Sequence, residues 1–234
     1  MRERPHRPAW LANFRREPDR TAALASYAQL AGRYEQTTLP IRHARQRALD
    51  LLALQPGETV FDLACGAGAI LTALSGRVGP QGQVFGIEQS PEMAAQASQA
   101  AAGCANVRLL CEPVETFRSP AVADAAILCY THDVLQSPRA LANLLAQLRP
   151  GARISVAGFC LLPAWGAPVN AWALWRARHY LSTWRGLRAP WLLLRQACPD
   201  LRLVERYHAG TGYLAVASVG GRPTDHAGAV DDPT

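Results

Sequence analysis

The stretch Val60-Phe61-Asp62-Leu63-Ala64-Cys65-Gly66-Ala67-Gly68 decides the fold, because a mostly apolar run leads directly into a glycine turn. This pattern predicts a buried strand, then a tight turn, then a helix from about Ala69. Gly66 and Gly68 carry no side chain that would keep a ligand off the backbone, and the first N–H groups of the helix point at the same place. The turn is therefore expected to bind an anionic or polar ligand.

The residues after the turn indicate which kind of ligand it takes. A dinucleotide fingerprint needs Gly or Ala three residues after Gly68, and Leu71 stands there, which argues against a nicotinamide or flavin cofactor. Acidic Glu88 ends the next predicted strand, at the place where doubly wound sheets recognise a ribose. A glycine pair alone is often only a tight turn, but together with Glu88 it predicts a ribose-bearing ligand.

The spacing Asp62-x-x-x-Gly66-x-Gly68, followed by Glu88, resembles the first motif of class I S-adenosylmethionine-dependent methyltransferases. The resemblance implies an α/β fold, a Rossmann-like doubly wound sheet of seven strands with the last strand antiparallel, preceded by N-terminal helices. It also implies S-adenosylmethionine as the cofactor. The glycines would take its aminoacid end, Asp62 would order the loop, and Glu88 would bond both ribose hydroxyls. Ala64 belongs to the same loop, where the family often carries another glycine.

The same resemblance assigns three further residues to the cofactor. Gln89 directly follows Glu88, and Met93 stands where the family packs a residue near the adenosine. Core packing is an equal possibility for Met93. The family usually has an aspartate near the adenine amino group, but Pro113 takes that place here, so backbone contact near Val114 is expected instead.

Two tyrosines precede the predicted sheet. The spacing from Tyr27 to Tyr34-Glu35 looks like an aromatic, aromatic-acid pattern that helps to cover the cofactor in small-molecule methyltransferases. Tyr34 is accordingly assigned to the cofactor and Tyr27 to the acceptor. Simple packing is the alternative for both.

The fourth predicted strand ends in Tyr130-Thr131-His132-Asp133, where the family places methyl transfer. His132 is the best candidate for a base, since the ordinary pKa of histidine lies near working pH. A capping or substrate-positioning role for His132 remains open. Tyr130 is a second candidate, because an aromatic face attracts a sulfonium cation. Asp133 is expected only to cap local backbone.

Residues 160–198, between strand five and the closing hairpin, are predicted to form a helical lid over the acceptor. A helical wheel places Val169, Trp172, Trp175 and His179 on one arc. Trp172, Trp175 and His179 are therefore assigned to an apolar or amphipathic acceptor. Methyltransferases of quinones and phospholipid headgroups use this part of the fold similarly, so the resemblance implies an aromatic metabolite, a quinone or a lipid headgroup. Alternatively, the tryptophans cover the sheet or make a homodimer contact.

The strand and helix pattern runs from residue 19 to residue 219 without a linker, which predicts one methyltransferase domain. Residues 1–18 form a basic arm with interleaved aromatic residues, suited either to peripheral membrane contact or to a partly ordered terminus. Residues 220–234 are rich in Gly, Pro and Asp and are expected to be disordered.

Composition excludes several classes of protein. No apolar run approaches the roughly 18 residues of a membrane span, and no signal peptide is evident, so a cytoplasmic protein is expected. The six cysteines form no Cys-x-x-Cys pair, and no metal is expected. All 24 basic residues are arginine, which excludes lysine Schiff bases and P-loops. The arginines are dispersed, so no nucleic-acid partner is expected.

Three functions remain open at this point. The first is methyl transfer to a small molecule. The second is transfer of another group of the same cofactor, such as the aminocarboxypropyl group. The third is cofactor binding without catalysis, as in a partner subunit.

Overall fold

The structure is a computed structural model that describes residues 18, 19, 21, 23, 24, 41–178 and 180–221. The predictions for the basic arm before residue 18, for Tyr27, Tyr34 and His179, and for the tail from residue 222 lie outside the described residues.

The helices and strands alternate along the described chain. The helices are α1 (Arg42–Leu51), α2 (Leu71–Val78), α3 (Pro91–Ala100), α4 (His132–Leu135), α5 (Pro138–Leu145), α6 (Ala167–Ala177) and α7 (Leu192–Ala197). The strands are β1 (Thr59–Leu63), β2 (Gln83–Ile87), β3 (Val107–Leu110), β4 (Ala123–Cys129), β5 (Leu148–Phe159), β6 (Arg202–Tyr207) and β7 (Gly212–Ser218).

The strands form one sheet in the order β3-β2-β1-β4-β5-β7-β6. Strands β1 to β5 pair in parallel, and β7 runs antiparallel to both of its neighbours. The predicted seven-stranded, doubly wound sheet with an antiparallel last strand is therefore confirmed.

Both faces of the central strands are covered, as parallel sheets require. All five residues of β1 are buried, and alternate residues point to opposite faces. On one face Phe61 makes edge-to-face contacts with Phe85 and Phe117, at centroid distances of 5.9 and 5.6 Å. On the other face Val60 and Val84 belong to a cluster that includes apolar residues of α1 and α2. This two-sided burial explains why β1 reads as a nearly continuous apolar run.

The parallel register brings several strand ends to one edge of the sheet. Leu63, the last residue of β1, pairs with Ile87 of β2 on one side and with Leu128 of β4 on the other. The loops after β1, β2 and β4 therefore leave the sheet together. A ligand site is expected at such an edge.

One local prediction needs correction. Helix α2 begins at Leu71 and not near Ala69, because residues 67–70 remain in turns around Gly68, whose φ is +81°. The segment 160–198, predicted as a helical lid, contains α6, α7 and a long intervening loop. In the described part of the chain, no helix has the length and apolarity that crossing a membrane demands.

Candidate functional site

The turn after β1 is held in left-handed backbone geometry. Ala64, Gly66 and Gly68 have φ values of +49°, +59° and +81°. A Cβ added to Gly68 would lie 2.9 Å from the Cα of Ala97 on α3, so glycine is needed there for packing. Ala64 adopts a conformation that costs a residue with a Cβ roughly 1–2 kcal/mol. Such strain is found at functional sites, where the surroundings hold it in place.

Glu88, at the end of β2, fastens this turn. Its side chain is 5% exposed, and its carboxylate accepts hydrogen bonds from the N–H of Gly66 at 2.9 Å and of Ser90 at 2.8 Å. Burial raises the pKa of Glu88, and these N–H donors oppose the rise. Among the described residues the loop-ordering bond thus comes from Glu88, and its two oxygens retain acceptor capacity for a ligand.

Asp62, near the end of β1, is a buried acid with an unmet hydrogen-bonding need. It is 2% exposed, and its Oδ2 has no hydrogen-bond partner among the described residues. Burial raises its pKa to about 7, with Arg45 opposing the rise and Glu88 adding to it. Because leaving a buried acceptor unpaired costs free energy, this oxygen is a site for a donor from a ligand.

Arg45 is a site residue that the sequence did not reveal. It lies on α1 and is only 8% exposed. Its positive charge opposes the rise that burial causes in the pKa of Asp62 and in the pKa of Tyr130. The guanidinium of Arg45 therefore lies near the ends of β1 and β4. An arginine directly after buried Ala44, within the apolar stripe of α1, was the available signal.

An open cavity of about 500 Å³, counted to include its mouth, lies at this edge of the sheet. It receives residues from the ends of four parallel strands and from the loop after α6. The lining residues are Pro18, Ala23, Ala64, Gln89, Val114, Glu115, Asp133, Val134 and Ser182.

The cavity brings together only some of the residues assigned to the cofactor. Ala64, Gln89 and Val114 line it, whereas Asp62, Gly66, Gly68, Glu88 and Met93 are not among its lining residues. The carbonyl of Val114 already accepts a hydrogen bond from the Asn143 amide, at 2.8 Å. Met93 is a buried residue of α3 and is 1% exposed. The packing alternative raised for Met93 fits this position.

His132 begins α4 and is 7% exposed. Its Nε2 lies 2.9 Å from the carbonyl oxygen of Arg185, which can only accept, so Nε2 carries the proton. Nδ1 is then the lone-pair nitrogen, and it has no partner among the described residues. Burial lowers the pKa of His132 to about 4, so the ring is neutral at physiological pH. This geometry fixes the loop that contains Arg185.

Asp133 does more than cap local backbone. Its Oδ2 accepts hydrogen bonds from the hydroxyl of Ser182 at 2.5 Å and from the N–H of Ser182 at 3.2 Å. The Ser182 hydroxyl in turn accepts from the N–H of Asp19 at 2.9 Å. Burial raises the pKa of Asp133. The Asp133 carboxylate therefore ties the loop after α6, and a residue ahead of α1, to the wall of the cavity.

Tyr130 follows β4 with a left-handed backbone, at a φ of +60°. Its N–H donates to the carbonyl of Ala157, and its hydroxyl lies 2.8 Å from the hydroxyl of Tyr207 on β6. Burial raises the pKa of Tyr130 to about 12. Tyr130 is thus a neutral aromatic group, held in place between the end of β4 and the start of α4.

Trp172 and Trp175 lie on the outer side of α6. They are 56% and 61% exposed, and neither lines the cavity. Val169, Trp172 and Trp175 of the predicted arc lie on α6, and both tryptophan side chains are exposed to solvent. In the described part of the chain, no group of three or more His, Cys, Asp or Glu side chains is arranged to hold a metal ion.

Known proteins share both the sequence and the fold. Residues 60–151 match the family model described as a methyltransferase domain. The chain is 33% identical over 155 residues to the nocamycin O-methyltransferase of Saccharothrix syringae, covering 63% of this chain and 53% of that protein. It is 30% identical over 124 residues to the 2-phytyl-1,4-naphtoquinone methyltransferase of Trichormus variabilis, covering 49% of this chain and 52% of that protein. The chain thus spans about half the length of these curated relatives.

Solved structures give the same architecture. A SAM-dependent methyltransferase from Aquifex aeolicus superposes with a TM-score of 0.55 at 20% identity, covering 84% of this chain and 97% of that one. The N-methyltransferase NodS from Bradyrhizobium japonicum, in complex with S-adenosyl-L-homocysteine, has a TM-score of 0.58 at 17% identity, covering 86% and 99%. At these identities the likeness concerns the fold. Residues 60–151 are therefore similar in sequence to a methyltransferase domain, and the chain has the fold of the S-adenosylmethionine-dependent methyltransferases of known structure.

Proposed function

We propose that this chain transfers the methyl group of S-adenosylmethionine to a small apolar or amphipathic acceptor. The observation that carries the proposal is the unpartnered, buried Oδ2 of Asp62, beside Glu88 and the glycine turn. A ligand with a cationic or N–H donor group meets the need of this oxygen. The aminoacid end of the family's cofactor has such a group, its ammonium.

The residues around the turn fit the remaining parts of the cofactor. Glu88 would accept from the ribose hydroxyls with the acceptor capacity that its two backbone bonds leave. Buried Arg45 supplies a positive charge near Asp62, so the two side chains together complement a group that carries both charges. Val114 and Ala64 provide apolar walls of the cavity, and Gln89 a polar one. Tyr34 remains a proposed contact that covers the cofactor. Met93 remains a proposed packing residue near the adenosine.

When bound, the cofactor supplies an activated methyl group on a sulfonium centre. The protein then contributes mainly alignment, which brings the acceptor into line with that centre. Tyr130 and His132 are proposed to shape this part of the site. With Nε2 committed to the Arg185 carbonyl and a pKa near 4, His132 is better suited to hold the loop than to remove a proton at neutral pH.

The acceptor class rests on the relatives and on the segment 160–198. By their names, the relatives methylate nocamycin and a phytyl naphthoquinone, both of them small molecules. We propose an aromatic metabolite, a quinone or a lipid headgroup for this chain. Tyr27, Trp172, Trp175 and His179 remain proposed acceptor contacts, and the two tryptophans reach the cavity only if α6 turns inward.

The deciding experiment incubates the protein with methyl-labelled S-adenosylmethionine and a panel of phenols, hydroquinones and phospholipids. We expect labelled product together with S-adenosylhomocysteine, and none with the Asp62→Asn variant. Methylthioadenosine as the product would instead indicate aminocarboxypropyl transfer. Tight cofactor binding with no product across the panel would make the chain a binding protein without catalysis.

A further inference from the structure

Three tryptophans form an exposed surface outside the cofactor site. Trp165, Trp172 and Trp175 are 75%, 56% and 61% exposed, on the short turn Ala164–Gly166 and on α6. We call these three side chains the tryptophan face. Tryptophan is highly buried on average in folded proteins. At about 150–250 Å² of surface per ring, the three side chains present roughly 300–450 Å² of largely apolar area to solvent.

The fold holds the tryptophan face outward. The opposite side of α6 carries Asn170, whose amide accepts from the N–H of Leu162 at 2.8 Å and donates to the carbonyl of Leu162 at 2.9 Å. Ala173, one turn further on, is 6% exposed. The helix therefore buries small and amide side chains and exposes its large aromatic ones, the reverse of the usual arrangement. Turning the rings inward would break both bonds of Asn170.

The segment that carries the tryptophan face has formal charges of one sign. Between residues 160 and 198 the sequence has no Asp or Glu, and its five arginines give a formal charge of +5. The guanidinium of Arg178 lies 4.8 Å from the ring centroid of Trp175. The five arginines are Arg176, Arg178, Arg185, Arg188 and Arg195.

We infer that the tryptophan face binds the surface of an anionic lipid membrane. Indole rings favour the boundary between headgroups and acyl chains, and arginine reaches lipid phosphates while its stem packs on apolar surface. An acid-free stretch with five cations complements the negative potential of anionic lipids. Helix α6 has 11 residues, which suits a helix lying along the surface. Ser182, in the same segment, lines the cavity, so this contact would set the site beside the lipid.

The test is flotation of the full chain with vesicles of equal parts phosphatidylcholine and phosphatidylglycerol, against vesicles of phosphatidylcholine alone. We expect the wild type to float with the anionic vesicles, and less so as salt rises. The variant Trp165→Ala/Trp172→Ala/Trp175→Ala should lose at least tenfold in vesicle partitioning while its thermal melting is unchanged. Arg178→Gln should weaken binding to the anionic vesicles alone.

Val122→Ala is the matched control. Val122 is also an exposed apolar side chain, at 49%, but it precedes β4 at the other edge of the sheet, so its loss should leave partitioning unchanged. The inference is overturned if the wild type does not float with the anionic vesicles, or if the triple variant floats as well as the wild type, which would assign binding to residues 1–18. It is also overturned if a concentration-dependent dimer, lost in the triple variant, appears without vesicle binding.

Discussion

Replacing Asp62 by asparagine should stabilise the unliganded protein at pH 8 while it removes cofactor binding. Asp62 is 2% exposed and its Oδ2 has no partner among the described residues. Folding raises its pKa from the ordinary 3.8 to about 7, chiefly through burial. The folded state therefore holds a proton that the unfolded state releases between these two pH values, and stability falls as pH rises through this window.

The size of the effect follows from the two pKa values. They differ by about 3, and each pKa unit corresponds to about 1.4 kcal/mol, so ionised Asp62 costs about 4 kcal/mol above pH 7. Asparagine has no charge and avoids this cost, but it places an amide in the same pocket. A buried amide without a hydrogen-bond partner lowers the stability by about 1–3 kcal/mol. A net gain of about 1–3 kcal/mol is expected at pH 8. Between pH 5 and pH 8 the difference between variant and wild type should grow by about 2.5 kcal/mol.

Urea denaturation of the unliganded proteins, followed by circular dichroism at several pH values from 5 to 8, measures this difference. Glu112→Gln is the matched control, because it makes the corresponding change from carboxylate to amide at an exposed residue near the same edge of the sheet. A stability difference for Asp62→Asn that is independent of pH, or that shrinks as pH rises, would refute the reasoning.

Two further predictions test the loops of the site. The glutamine side chain of His132→Gln can still donate a hydrogen bond to the Arg185 carbonyl, so turnover should stay within about tenfold of the wild type. His132→Ala cannot donate this bond and should lower turnover further. A loss of about a hundredfold in His132→Gln would instead identify Nδ1 as a general base. Gly68→Ala should destabilise the protein by about 2–4 kcal/mol, because it adds a Cβ against Ala97 at a residue with left-handed φ. Gly76→Ala is the control and should be neutral or stabilising, because Gly76 lies in a helix with open space around it. Equal melting temperatures for the two variants would contradict this packing.

The sheet could be predicted from the sequence because its strands are two-sided apolar runs bounded by turn residues. Strand β2 spans Gln83–Ile87, so Glu88 directly follows its last residue. Glu88 was placed correctly at its end, because an acid after a buried strand marks the edge where the strand leaves the core. The start of α2 was misplaced by two residues, since the contact of Gly68 with Ala97 depends on a helix that comes later in the chain.

The candidate site was harder to predict wherever it depends on tertiary contacts. The helical wheel found the arc shared by Trp172 and Trp175 but not its direction, which the bonds of Asn170 to Leu162 decide. Arg45 stands within the apolar stripe of α1, but the sequence does not show that this helix packs beside Asp62. The tie between Asp133 and the loop after α6 joins residues 49 positions apart, and short-range patterns do not report such contacts.

Cofactor binding is the central claim, and isothermal titration of the purified protein with S-adenosylhomocysteine tests it most directly. One site per chain is expected. Glu88→Ala should weaken binding by more than tenfold, because a charge-assisted hydrogen bond contributes about 1.5–3 kcal/mol. Asp50→Ala, which removes a carboxylate paired with Arg77 on the outer side of α1, should bind like the wild type. No heat of binding with the folded wild type, or unchanged affinity in Glu88→Ala, would contradict the assignment of this turn as the cofactor site.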